Sequence, residues 1–142
     1  MAGVHVLCFF FLLEIFSEGA AVTIQTEQTV LAAVGGQASL TCQLSEHKEV
    51  IQVTWQKILP DGEKNLATYT KHFGQRVSPD LKMKMDFQYK ELQNCSVVIR
   101  KVTEQDEGCY RCLFNTFPEG AVIGRTCLRL YGKNSSNTST AL

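Results

Sequence analysis

Residues 106–112, DEGCYRC, constrain this chain more than any other stretch. They hold the pattern D-x-G-x-Y-x-C. A tyrosine two residues before a strand cysteine is the arrangement of a tyrosine corner, whose phenol hydroxyl bonds back to upstream backbone and pins the turn into the strand. Gly108 lets the chain turn tightly at that point. If Cys112 points into a core between two sheets, three further residues or runs must precede it. A cysteine on an earlier strand must face it, a tryptophan must pack beside the bridge, and an alternating strand must lead into the corner. Cys42 in SLTCQLS, Trp55 in IQVTWQK and the run SVVIRKV over 96–102 supply these in order.

Four markers in the required order predict an all-β chain, a variable-type immunoglobulin β-sandwich of two antiparallel sheets in Greek-key order over residues 22–132. Period-two alternation places the strands. A kinked edge strand spans 22–34, before Gly35-Gly36. Leu40, Cys42 and Leu44 share one face, with Ser39, Thr41 and Gln43 on the other. Val53 and Trp55 point inward, Thr54 and Gln56 outward. Pro60-Asp61-Gly62 makes a turn, since proline presets φ and glycine accepts positive φ, and a short strand follows over 66–70. A loop with a short edge strand fills 71–80. Leu81, Met83, Met85 and Phe87 share a face of the next strand, opposite Lys82 and Lys84. Either lysine could pair with Asp106, and the spacing does not choose. Val97 and Ile99 point inward, and the last two strands run over about 108–114 and 122–131. The loop NTFPEG lies between them.

Residues 1–20 set the compartment. A mostly apolar run over 4–16 precedes the small residues Ser17, Gly19, Ala20 and Ala21, the pattern of a secretory signal peptide. The run is too short to span a bilayer, which takes about 20 apolar residues, and no other candidate span follows. The chain is expected in the secretory pathway, secreted or on the extracellular face of the cell surface. Formal net charge is zero over 142 residues, without the basic stripe of a nucleic-acid binder. Residues 133–142 are polar and small and are expected to be disordered. The sequons at Asn94, Asn134 and Asn137 fit surface glycans.

Of six cysteines, Cys8 leaves with the signal. Parity assigns the others. Cys112 and Tyr110 inward put Cys109 outward, and Leu128 and Leu130 inward put Cys127 outward. Their strands are neighbours in such a sandwich, so the expected bridges are Cys42–Cys112 and Cys109–Cys127. By chain entropy these contribute roughly 4 and about 3 kcal/mol. Cys95 is left over. Cys109-x-x-Cys112 has a redox spacing, but that chemistry needs a helix N-terminus rather than a strand with ends on opposite faces. A zinc site from Cys95, Cys109, Cys112 and Cys127 lacks the second close pair. No metal, cofactor or small-molecule substrate is implied. No Ser/His/Asp arrangement or phosphate loop stands out, so the chain reads as a non-enzyme.

The run DEGCYRCLFNTF over 106–117, then Cys127-Leu128, VTWQK over 53–57 and LQN over 92–94 resemble the amino-terminal domain of the OX-2 family. The resemblance covers about 22–132. It implies a surface ligand that binds an immunoglobulin-superfamily inhibitory receptor on myeloid cells and lowers immune activation. It also implies the binding face, the sheet of the strands lettered C, C′, F and G, through Trp55, 66–70, Cys112 and Leu128. On this sequence that face offers Thr54, Gln56, Arg111, Leu113 and Arg129, with Asn115, Thr116, Phe117 and Glu119 from the loop. Phe117, an aromatic beside a disulfide-stiffened hairpin, is the expected hot spot. Unlike the family, this sequence continues into no second domain, membrane helix or cytoplasmic tail, which suggests a short secreted form, a soluble decoy or an incomplete chain. The competing reading is an adhesion or assembly module that dimerises through the same face or through Cys95.

Overall fold

The computed structural model describes residues 22–132. The expected signal peptide over 1–20, the polar tail over 133–142, and Asn134 and Asn137 with it, lie outside the described residues. The edge strand at the amino end is divided. β1 (Ile24–Gln25) joins one sheet and β2 (Thr29–Ala33) the other. Then come β3 (Ala38–Leu44), β4 (Glu49–Leu59), β5 (Gly62–Thr70), β6 (Gly74–Val77), β7 (Met85–Lys90), β8 (Asn94–Ile99), β9 (Gly108–Phe117) and β10 (Gly120–Tyr131). The small sheet has the order β1-β3-β8-β7, the large one β2-β10-β9-β4-β5-β6. Neighbours are antiparallel except β2, which runs parallel to β10.

Alternation builds the core directly. On β3, Ala38, Leu40, Cys42 and Leu44 are buried and the residues between them exposed. Trp55, Phe114, Leu40, Ile99 and Leu128 fill the space between the sheets. The Cys42–Cys112 disulfide joins β3 to β9 across it, and Trp55 is the register partner of Cys112 on the adjacent strand. Gly124, opposite Cys112, has no counterpart among the expected core positions. A Cβ there would run into Ile24 and come within 3.0 Å of the Cys112 sulfur, so the missing side chain is what lets β1 close over β10.

The corner before β9 is a tyrosine corner. The Tyr110 hydroxyl donates to the Asp106 carbonyl oxygen, and burial, with the nearby Asp106 charge, raises the phenol pKa. The Asp106 carboxylate accepts from the Thr103 N–H at 2.8 Å and pairs with Lys84 at 2.7 Å, so Lys84 rather than Lys82 is its partner. Gly108 has φ +140°, and a Cβ on it would sit 3.3 Å from the Lys57 side chain. The strand expected from Leu81 starts later. Pro79–Leu81 forms a 3-10 turn, and the Lys84 N–H bonds back to the Leu81 carbonyl. Pairing therefore begins at Met85, and Met83, expected on one face with Met85 and Phe87, is 90% exposed while those two are buried.

Candidate protein-binding face

The larger sheet has six strands against four, and its outer surface is the candidate face for a partner. Register lays it out in rows. Ile123, Leu113, Thr54, Thr68 and Arg76 line up from β10 to β6. Ala121, Asn115, Gln52 and Thr70 form the row toward the β9–β10 turn. Arg125, Arg111, Gln56 and Asn65 form the row away from it. Arg111 is fixed in place, donating from Nε to the Gln56 carbonyl at 2.6 Å and pairing with Glu63 at 3.4 Å. The Gln56 amide donates in turn to Asn65 at 2.7 Å.

Two of the expected contact residues are not on the surface. Thr54 points outward, yet it is only 5% exposed. Its hydroxyl accepts from Gln52 at 3.1 Å, and Leu113 and Thr68 flank it on the neighbouring strands. Thr116 is 4% exposed and donates to the Gly120 carbonyl at 2.8 Å. The reason is that β9 continues to Phe117 and β10 begins at Gly120. Asn115 and Thr116 are therefore strand residues with alternating faces, and only Pro118 and Glu119 remain as turn. Gln56, Arg111, Leu113 and Asn115 are half-buried on the face, while Phe117, Glu119 and Arg129 are exposed.

Phe117 is 67% exposed. The disulfide expected beside it is at the other end of the hairpin. Cys109–Cys127 links directly opposed residues, eight positions along β9 from Phe117, which at strand rise is roughly 25 Å. The tip is held by its pairing with β4, where Glu49 lies opposite Phe117, and by the exposed 2.7 Å pair between Lys48 and Glu119, which ties the β3–β4 loop to the turn. That hydrogen bond holds the Glu119 carboxyl below its ordinary pKa and raises that of Lys48. Several exposed apolar residues escaped the sequence reading, Ile51 and Ile123 among them. Ile51 is thrown into solvent by a bulge between Val50 and Gln52, for which the sequence carries no signal. Ile123 shares the outward parity of Cys127 and was within reach of the alternation rule.

The small sheet holds the remaining assigned residues. Asn94 opens β8 on the outer side, opposite Gln43. Cys95 is fully buried, paired in register with Cys42. Burial pushes its thiol up to about 12, and the nearby Trp55 indole, whose buried N–H has no hydrogen-bond partner among the described residues, partly offsets this. A thiol so placed cannot link two chains, which removes the Cys95-bridged dimer. Among the described residues no group of three or more His, Cys, Asp or Glu could hold a metal, and no helix is long and apolar enough to cross a membrane.

Known proteins place this architecture. The model of the immunoglobulin V-set domain matches residues 25–131. The OX-2 membrane glycoprotein of Rattus norvegicus is 43% identical over 94 residues, 66% of this chain and 34% of that protein. The Homo sapiens protein of the same name is 39% identical over 94 residues, again 66% of this chain and 34% of its own length. The chain thus spans about a third of the length of these curated relatives. The structure of murine CRIg is similar in fold, with a TM-score of 0.62 at 17% identity, covering 78% of this chain and 97% of that one.

Proposed function

The chain belongs to the immunoglobulin V-set family of non-enzymatic binding domains, and on that premise we propose that it is an OX-2-type ligand. It engages an immunoglobulin-superfamily inhibitory receptor on myeloid cells through the outer face of β10, β9, β4 and β5, and so lowers immune activation. Its two disulfides fit the extracellular side, where such bonds persist.

The observation that carries the reading is the exposure of Phe117 at the edge of a face whose centre holds Leu113 and Ile123. Aromatic residues of this kind are enriched among interface hot spots. Asn94, on the opposite sheet, could carry a glycan without covering this face. The test is binding of the disulfide-intact chain to the ectodomain of the OX-2-system myeloid receptor. Phe117→Ala should weaken binding about 30-fold, the size of a hot-spot loss of about 2 kcal/mol, with thermal stability unchanged. Wild-type affinity in that variant would remove Phe117 from the site. No binding by the native chain would favour the adhesion module.

A further inference from the structure

The charge on the binding face is segregated. The whole chain has a formal net charge of zero. Yet the outer face of the large sheet carries Arg76, Arg111, Arg125 and Arg129 against only Glu49 and Glu63. Glu63 is already engaged with Arg111. Among the described residues, Arg76, Arg125 and Arg129 have no carboxylate partner, and all three are exposed. Lys48 and Glu119 at the rim neutralise each other. The centre, Ile123 and Leu113 beside Thr54, is uncharged.

From this we infer that the face is built for an acidic protein surface and against a second copy of itself. The inference rests on the ligand reading and deepens it. The partner it fits presents an apolar centre to Leu113 and Ile123, and Asp or Glu side chains to Arg125, Arg129 and Arg76. A two-fold dimer through this face would bury two like-charged patches within one screening length of about 8 Å. Like-charge juxtaposition across an interface suppresses the wrong partner, while opposite charge speeds encounter with the right one. Homophilic adhesion through this face is thereby disfavoured by the same arginines that recruit the partner.

Two measurements on the native chain test this. In sedimentation equilibrium, the chain should be monomeric at about 100 μM in both low and high salt. A dimer that Leu113→Arg disrupts would overturn the inference. In binding to the OX-2-system receptor ectodomain, raising salt from about 0.05 to 0.5 M should slow association about tenfold, with a smaller effect on dissociation. Arg125→Glu with Arg129→Glu should slow association similarly. Lys82→Glu, the same kind of charge reversal off this face, should not. Receptor binding indifferent to salt and to the arginine reversals would overturn the acidic partner and leave the ligand reading standing. No receptor binding at all would overturn the ligand reading, and the acidic partner with it.

Discussion

Replacing Cys109 and Cys127 together by serine isolates what the hairpin disulfide does. The bond closes a loop with a sequence separation of 18. The chain-entropy relation gives about 3 kcal/mol for a loop of that size, acting through the unfolded chain. Both residues are half-buried on the outer face, so serine leaves no cavity in the core and little desolvation to change. The loss should therefore be almost wholly entropic. For a domain of this length each kcal/mol moves Tm by about 4 °C, so a fall of about 12 °C is expected. Urea unfolding separates the mechanisms. Without the link the unfolded chain is less compact and exposes more surface, so the m-value should rise as the midpoint falls. If the proposed ligand reading holds, receptor binding should survive below the new Tm, because the tip is held by Lys48–Glu119 and by β4 rather than by this bond. A loss under about 1 kcal/mol with an unchanged m-value would refute the reasoning. It would mean that the hairpin, with its short turn, already persists in the unfolded chain.

Cys95 should resist alkylation in the native chain at pH 8 and react fully once the chain is unfolded in urea, with non-reducing gels showing monomer throughout. Native labelling at the rate of a free thiol would contradict its burial. Asp80 is held at a pKa of about 2 by hydrogen bonds from Lys64, at 2.7 Å, and from Ser78. Because its folded pKa is depressed, its stabilising contribution is complete above the ordinary value of about 3.8 and is lost as pH falls through about 2. Carboxyl NMR titration should place it there, and Lys64→Ala should move it up toward the ordinary value. A midpoint that Lys64→Ala leaves in place would refute the assigned cause.

The limits of what the sequence disclosed follow from what alternation encodes. It encodes direction, because successive side chains on a strand leave opposite faces. Direction was enough to pair Cys109 with Cys127, since two outward cysteines on adjacent strands need only register to meet. The same rule extends to Cys95, which shares the parity of Val97 and Ile99 and is buried with them beside Cys42, although the sequence reading leaves it over as a possible link between chains. Exposure is a different quantity. Thr54 has the outward direction and is still covered, flanked by Gln52 two residues away, by Thr68 on the next strand and by Leu113 on a strand distant in sequence. Alternation also cannot announce where it stops. It ran on through Asn115 and Thr116 because two residues sufficed to turn the hairpin, and it failed before Met85 because Pro79 started a 3-10 turn. The basic face was illegible for the same reason. Arg76 and Arg125 are far apart in the chain, one on the edge strand β6 and the other on β10, next to the opposite edge. They share a surface only because β5, β4 and β9 lie between them in one register, and that register is a property of the pairing rather than of any one strand.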